Sequence, residues 1–183
     1  MCPFYSRKGD EGQTGLLGKK RVFKDDDVIE LIGNLDELSS TIGLAKNVTT
    51  HLQIKEALAH IQGDLFHIMS EAAAVDESRQ RFQFTSDSQI DWLEKAISQI
   101  ETKINIPTYF ILPGDSLPAA HLDQARTVSR RCERRAVSLA RNNGLSNGLI
   151  LKYLNRLSSL IFALELFELN QSGITPTPVH KEK

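Results

Sequence analysis

Apolar residues recur at steps of three and four along most of this chain, which is the spacing of one face of an α-helix. The pattern predicts five helices, which begin near residues 27, 51, 86, 116 and 147. The first helix follows the acidic run Asp25–Asp27, and the third begins at a capping box, Ser86–Gln89. The fifth is the most apolar, so we expect it at the centre of a helical bundle.

Three stretches between or after these helices lack the helical pattern. Residues 76–84 are polar and charged, which predicts a loop. The apolar run Ile106–Asp115 is bounded by prolines and has no second strand to pair with, so we predict an extended segment pressed against the bundle. Phe110 in this segment is either a core residue or the wall of a cavity. Residues 172–183 are expected to form a loose polar tail.

Composition limits the class of protein. The chain has 183 residues, of which 40% are hydrophobic and 25% charged, and this predicts one globular domain. A net charge of −1 argues against a globally basic nucleic-acid binder. Cys2 and Cys132 provide no disulfide framework, and no apolar run approaches the roughly 20 residues that span a bilayer. We therefore expect a cytoplasmic protein without membrane segments.

A glycine-rich segment, SRKGDEGQTGLLG, precedes the first helix and contains glycine at every third position from Gly9 to Gly18. Glycine lets backbone N–H groups approach an anion closely, and hydroxyl and cationic side chains flank the run. The spacing is not that of a P-loop. Glycine content alone favours a phosphate cradle and a flexible, solvated arm equally.

The fourth helix carries an unusual density of arginine. Arg126, Arg130 and Arg134 are spaced i, i+4, i+8, so they lie on one side of the helix, over a length of about 12 Å along its axis. Carboxylates from neighbouring helices could neutralise them. The alternative is a polyphosphate, because guanidinium groups pair bidentately with phosphate oxygens. Together with the glycine-rich segment, the arginines favour a nucleoside triphosphate.

Two histidines on the second helix, His60 and His67, share one face and make a metal pair conceivable. Di-iron bundles require Glu-x-x-His pairs, and this chain lacks them. We therefore favour surface or interface histidines and predict no metal ligands from the protein itself.

The segments YSRKGDEGQTGLLG, GNLDELSSTIGLA, FILPGDS, ARTVSRRCERR and YLNRLSSLIFAL occur in this order. Together they resemble the trimeric type of ATP:cob(I)alamin adenosyltransferase, the corrinoid adenosyltransferases, over nearly the whole chain. The resemblance implies an all-α, five-helix bundle with a ferritin-like up-down arrangement and an N-terminal Gly-rich loop, assembled as a homotrimer with active sites between subunits. It implies one domain, residues 1–183, divided into a nucleotide-binding loop (1–26), the helical bundle (27–171) and the polar tail (172–183).

The resemblance also implies an activity and its site. The enzyme would transfer the 5′-deoxyadenosyl group of ATP to the cobalt of cob(I)alamin and release triphosphate. The loop would bind ATP through Ser6, Arg7, Lys8, Gly9, Asp10, Gly12, Thr14, Gly15 and Lys24. Across the subunit boundary the nucleotide would meet Arg130, Arg131, Glu133, Arg134 and Asn155.

The expected catalytic residues include Arg130 and Glu133 of this set. Asp36 and Arg126 resemble the family's inter-subunit ion pair, although Asp36 by itself reads as a solvated helix carboxylate. Phe110 matches the aromatic residue that displaces the lower axial ligand of cobalamin. Mg²⁺ is expected on the ATP phosphates, and a cobalt-reducing protein and an adenosylcobalamin-dependent enzyme are possible partners.

The chain departs from the family pattern at five positions. The family usually has Thr at Ser6 and Lys8, Gly at Asp115, His at Asp123 and Asp at Ser159. The added acids lie near the expected cobalamin side. They keep open a second class of function, a non-catalytic ATP- or cobalamin-binding sensor or carrier. A third class is a helical adaptor whose arginines bind nucleic acid or an acidic partner.

Overall fold

A computed structural model describes residues 4–5 and 7–180 of the chain. The described residues form five long helices and one short one: α1 (Asp27–Val48), α2 (Leu52–Ala73), α3 (Ser78–Phe82), α4 (Asp87–Glu101), α5 (Leu117–Arg141) and α6 (Leu149–Gln171). The predicted helical bundle is thus confirmed. The short helix α3 lies where we predicted a loop, and it buries no residue, so no hydrophobic period marked it. Among the described helices we find none whose length and apolar character would suit it to a bilayer.

Capping hydrogen bonds lie at the helix ends, among them one that begins α1 within the predicted acidic run. The Asp26 side chain accepts a hydrogen bond from the backbone N–H of Val28 at 3.0 Å, and Ser116 caps α5 through the N–H of Ala119 at 3.2 Å. At the end of α5, the N–H of Gly144 donates to the carbonyl of Leu139 at 2.9 Å. A Cβ at Gly144 would lie 2.4 Å from the Leu139 side chain, so this tight turn requires glycine.

The long helices pack side by side in the order α2, α1, α5, α6, α4. Fully buried leucines, among them Leu35, Leu65 and Leu157, fill the space between them. Every residue from 164 to 169 of α6 is buried, as expected for a helix with neighbours on all sides. The last turns of α6 are therefore buried as predicted, and in the row of helices α6 lies between α5 and α4.

The glycine-rich segment and the residues that follow it form a strand pair, which the sequence pattern did not predict. Strand β1 (Gln13–Gly15) runs antiparallel to strand β2 (Arg21–Phe23). These strands are too short and too polar to show alternation, so the pattern missed them. Gly18 turns the chain between them with φ 141°, and a Cβ there would lie 2.7 Å from the Val75 side chain. Backbone hydrogen bonds of Leu17 to Ala73 and Val75 hold the pair against the end of α2.

The apolar segment before α5 also has a pairing partner, and that partner lies in the tail. Ile111 and Pro178 form an antiparallel bridge, with the N–H of Leu112 donating to the carbonyl of Thr177 at 2.7 Å. Asp115 accepts hydrogen bonds from the backbone and the hydroxyl of Thr177 at 2.8 and 2.7 Å. Our expectation of a loose tail is wrong for these residues. The partner is remote in sequence and polar, so no local pattern indicated the pairing.

A buried carboxylate, Glu71, connects three parts of the bundle. It accepts hydrogen bonds from the backbone N–H and hydroxyl of Thr85, at 2.9 and 2.6 Å, and from the amide of Asn147 at 2.8 Å. The end of α2 is thereby tied to the segments that lead into α4 and α6. Only 2% of Glu71 is exposed, so removing its carboxylate would leave buried donors unsatisfied.

We expect the substitution Glu71→Ala to lower the free energy of unfolding by about 3 kcal/mol or more, because several charge-assisted hydrogen bonds are lost together. Urea unfolding followed by circular dichroism measures the change. Glu56→Ala, at an exposed position on the same helix, is the control and should change stability by less than about 0.5 kcal/mol. Equal effects of the two substitutions would contradict the role assigned to Glu71.

Candidate active site

A cleft of about 530 Å³ lies between α5, α6 and the segment that precedes α5. Helix α5 contributes Asp123, Arg126 and Arg130, and α6 contributes Ser158, Ser159, Phe162 and Glu165. The opposite wall is apolar and includes Tyr109, Phe110 and Ile111. The cleft therefore combines a charged floor with an aromatic wall, which is the usual composition of a small-molecule site.

Phe110 stands at this wall with 87% of its surface exposed. Its backbone is held by the tail, because the N–H of Val179 donates to the carbonyl of Phe110 at 2.8 Å. The tail also accepts a hydrogen bond from the Tyr109 hydroxyl, at the carbonyl of Pro176. A large exposed aromatic side chain on a fixed backbone is suited to contact a ligand rather than to fill a core.

Arg126 points into the cleft, where Asp123 holds it. Its Nε and Nη2 atoms each lie 2.8 Å from Asp123 Oδ1, and its guanidinium lies 6.0 Å from the ring centre of Phe162. Asp36 is exposed on α1 and forms no ion pair with any described residue. The ion pair predicted between Asp36 and Arg126 is thus not formed within one chain, and its formation between subunits stays a prediction.

Arg130, Glu133 and Asn155, which the sequence grouped at the nucleotide, lie together. Glu133 accepts a hydrogen bond from Arg130 Nη1 at 2.7 Å and another from the Asn155 amide at 2.9 Å. Asn155 in turn accepts from Arg156, which is bound to Glu94 on α4 at 2.9 Å. This chain of contacts fixes the direction of the Arg130 side chain at the mouth of the cleft.

The remaining arginines of α5 point elsewhere. Arg131 donates to Asn34 of α1 at 2.7 Å and forms an ion pair with Glu37 of the same helix. The Nε atom of Arg135 lies 3.3 Å from the carboxylate of Glu30, also on α1. The hydrogen bond that Arg131 donates to Glu37 raises the pKa of the guanidinium. Arg134 is exposed, and no side-chain hydrogen bond or ion pair of it is found among the described residues. The structure thus brings Arg126 and Arg130 to the cleft and directs Arg131 away from it.

The glycine-rich loop is ordered around its own backbone. The N–H of Lys24 donates to the carbonyl of Gly12 at 2.8 Å, and Arg21 donates to the carbonyl of Lys8 at 2.8 Å. Gly12 has φ 80°, and the Lys24 ammonium lies 3.1 Å from where a Cβ of Gly9 would stand. The turn begins at Arg7, whose carbonyl accepts from the N–H of Asp10. The side chains of Arg21 and Lys24 therefore lie beside the backbone of the glycine-rich loop.

The other predicted loop residues follow from this arrangement. Thr14 and Gly15 lie in β1, opposite Val22 and Arg21 of β2. Ser6 lies outside the described residues. The described part of the loop packs on the end of α2, and neither strand packs against α5 or α6. Within one chain, the glycine-rich loop and the cleft are therefore separate.

Sequence reasoning missed Glu165, which lines the cleft from α6. It is 1% exposed, and its Oε2 atom has no hydrogen-bond partner among the described residues. Burial, reinforced by the negative charge of Asp123, raises the pKa of this carboxyl to about 8, although Arg126 acts in the opposite direction. The available signal was an acid on the strongly apolar last helix, three positions after Phe162. The sequence predicts one site residue on this helix, Asn155, and assigns no role to Glu165.

The two histidines of α2 have aromatic neighbours. His60 stacks on Trp92 with ring centres 3.9 Å apart, and His67 stacks on Phe84 at 4.6 Å. Asp64 lies between these turns, where it accepts a hydrogen bond from the buried Tyr153 hydroxyl at 2.8 Å. Across residues 4–5 and 7–180, no group of three or more His, Cys, Asp or Glu side chains is arranged to hold a metal ion.

Comparison with known proteins places this architecture in a recognised group. A family model described as cobalamin adenosyltransferase matches residues 4–168. The chain is 38% identical over 174 residues to the corrinoid adenosyltransferase of Bacillus subtilis, covering 93% of this chain and 88% of that protein. It is also 38% identical over 169 residues to the cobalamin adenosyltransferase of Cupriavidus metallidurans, covering 92% of this chain and 88% of that one.

A solved structure is similar over nearly the full length. It is a variant of the PduO-type ATP:corrinoid adenosyltransferase from Lactobacillus reuteri complexed with cobalamin and ATP. Its TM-score to this chain is 0.89 at 31% identity, and the match covers 98% of this chain and 97% of the other.

The buried acid of the cleft should make stability depend on pH. The Glu165 carboxyl titrates near its usual value of 4.5 when unfolded and at about 8 when folded. Its contribution to stability is therefore full below pH 4.5 and is lost as the pH rises to about 8. Glu165→Gln removes the titration. The free energy of unfolding of the variant, relative to that of wild type, should therefore rise by on the order of a few kcal/mol from pH 5 to pH 8. Urea unfolding at fixed protein concentration tests this, and a constant difference across that range would contradict it.

Proposed function

Since this chain belongs to the cobalamin adenosyltransferase family, we propose that it transfers the 5′-deoxyadenosyl group of ATP to the cobalt of cob(I)alamin, forming adenosylcobalamin and releasing triphosphate. The cleft supports this proposal most directly, because Phe110, Arg126 and Arg130 line it together. The solved relative that shares the fold was complexed with both cobalamin and ATP.

The transfer is a nucleophilic substitution at carbon. The electron pair of Co(I) forms the bond to C5′ of the ribose, the bond from C5′ to the phosphate-linked oxygen breaks, and triphosphate leaves with that electron pair. Cobalt thereby becomes Co(III). The enzyme contributes positioning of the two reactants and stabilisation of the negative charge on the leaving group. We assign this charge stabilisation to Arg130, whose guanidinium is directed by Glu133 and Asn155.

Phe110 is placed to act on the other face of the cobalt. Its ring is exposed at the cleft wall, while its backbone is fixed by the tail. We propose that the ring occupies the space below the corrin and keeps the lower axial ligand away. Four-coordinate Co(II) is then easier to reduce to the nucleophilic Co(I). A separate cobalt-reducing protein would supply the electron, and an adenosylcobalamin-dependent enzyme would receive the product in the cytoplasm.

The ATP site requires a second copy of the chain. The glycine-rich loop leads into α1 at Asp27, which contacts Asn142 at the far end of α5. At about 1.5 Å per residue, Arg130 lies about 18 Å along the helix axis from Asn142. One chain therefore does not bring the loop to the arginines. We propose a homotrimer in which the loop, from Ser6 to Gly15 with Lys24, binds the triphosphate beside Arg130, Arg131, Glu133, Arg134 and Asn155 of a neighbour.

The same assembly would provide a partner for Asp36. This carboxylate is exposed and unpaired among the described residues, and we propose that it binds Arg126 of the adjacent subunit. We further propose that Mg²⁺ enters with the ATP phosphates. Magnesium is commonly held by substrate phosphates, water and one or two carboxylates. Asp10, in the glycine-rich loop, is a carboxylate that could meet it.

A second candidate function, a non-catalytic binder of ATP or cobalamin, is favoured by one contact. Arg126 is already bound to Asp123 within the chain, so it is less available to an acid of another subunit. Such a protein would bind both ligands and release no triphosphate.

We expect Arg130→Ala to lower the rate of adenosylcobalamin formation about 100-fold or more, because a group that stabilises the leaving charge is removed. The measurement is an anaerobic absorbance assay with chemically reduced cob(I)alamin, Mg²⁺ and ATP. Arg135→Ala, on the same helix but paired with Glu30, should stay within about twofold of wild type. Wild-type rates for Arg130→Ala would refute its assigned role. Binding of both ligands without turnover by the wild type would favour the second function.

Mixing two inactive variants tests the divided site. Lys24→Ala damages the loop and Arg130→Ala the cleft, so co-expressed chains can form intact sites only if each site uses two subunits. Random mixing then restores about a quarter of wild-type activity. Co-expression that restores no activity, from subunits that demonstrably assemble together, would argue against sites shared between chains.

A further inference from the structure

The buried carboxyl of Glu165 in the cleft is not used by the proposed transfer. It extends from α6 on the same side as Phe162 and lines the cleft together with Arg126 of α5. Its Oε2 atom lacks a hydrogen-bond partner among the described residues, although only 1% of the residue is exposed. A polar atom left in this position costs free energy of folding, so its retention suggests a ligand that satisfies it.

The charges around Glu165 do not offer it a cation of its own. Asp123 and Arg126 of α5 and Asp115 of the preceding segment act on it, and Arg126 is already bound to Asp123. Arg130, the other cleft cation, is paired with Glu133. No titratable group of α2 or α4 is among the described side chains that shift it. With a pKa of about 8, the carboxyl carries its proton at neutral pH.

A protonated carboxyl presents one O–H donor and one carbonyl acceptor side by side. A primary amide presents the complementary pair, so the two groups can form two parallel hydrogen bonds. The rim of a corrin ring carries several such amides on its acetamide and propionamide arms. Phe110 and Glu165 line the same cleft, so a corrinoid whose lower face meets Phe110 would bring its rim towards Glu165.

We propose that protonated Glu165 is a specificity-determining residue that binds a peripheral primary amide of the corrinoid. The assignment rests on the proposed function, because it takes the cleft as the corrinoid site. Binding requires the proton, since an ionised carboxylate would lose its donor and add a negative charge beside Asp115 and Asp123. Corrinoid affinity should therefore fall as Glu165 ionises, while ATP affinity should not change.

The test is an anaerobic absorbance titration of the full-length protein with cob(II)alamin in the presence of ATP, from pH 6.5 to 9. If only the protonated form binds, a pKa of about 8 weakens wild-type binding about tenfold between pH 7 and 9. Glu165→Gln keeps a donor and an acceptor without a titrating proton. It should bind within about twofold of wild type at pH 7 and lose the weakening at pH 9. Any titration of cobalamin itself appears equally in both proteins.

A second variant separates recognition from packing. Glu165→Met fills a similar volume without the hydrogen bonds, so at pH 7 it should bind cob(II)alamin about tenfold more weakly than wild type, with no further weakening up to pH 9. In turnover assays the loss should appear in the KM for the corrinoid and not in the KM for ATP. Circular dichroism confirms that the variants are folded.

Two other outcomes would overturn the inference. The first leaves the proposed function intact, and the second overturns that function too. Equal pH profiles for wild type and Glu165→Gln would remove the role of Glu165 and leave the transferase intact. Absence of cob(II)alamin binding and of product in the wild type at pH 7 would remove the proposed function as well.

Discussion

The position of α5 between α1 and α6 is the constraint on which the site depends. A helix with so many arginines needs anions on each side that it presents, because like charges close together in a partly dry environment repel. Towards α1, the carboxylates of Glu30 and Glu37 meet Arg135 and Arg131. Towards α6, the ion pairs that Arg126 and Arg130 form among the described residues are with acids of α5 itself. The packing therefore divides one row of similar residues into a structural set and a set that faces a cleft.

The cleft in turn depends on a contact between distant parts of the chain. Asp115 and the backbone around Leu112 hold Thr177, so the tail fixes the segment that carries Phe110. A side chain with 87% of its surface exposed keeps a defined position because its backbone, not its ring, is anchored. Asp115 stands where the resembled family usually has glycine. In this chain the departure has a structural explanation, since its carboxylate binds the tail.

Electrostatics give the cleft its particular character. Asp123 holds Arg126, and Glu165 is buried close to both. Burial disfavours the charged form of Glu165 and the negative charge of Asp123 disfavours it further, so its pKa is raised and the carboxyl keeps its proton near neutral pH. The cleft consequently contains a neutral acid as well as an ion pair. The neutral acid presents a hydrogen-bond donor and an acceptor to a ligand. In the ion pair, the charge of Arg126 is already neutralised by Asp123.

The sequence by itself determined the five long helices and the burial of α6, because these follow from local periodicity, and it placed the start of the third long helix at the capping box of Ser86. It also grouped Arg130, Glu133 and Asn155, through the resemblance of whole segments. Only the tertiary structure decided which arginines face α1, that the tail pairs with the segment around Leu112, and that Glu165 lies without a partner in the cleft. Each of these depends on residues far apart in the chain. Periodicity describes which side of a helix is apolar, but the neighbour that meets that side is chosen by packing.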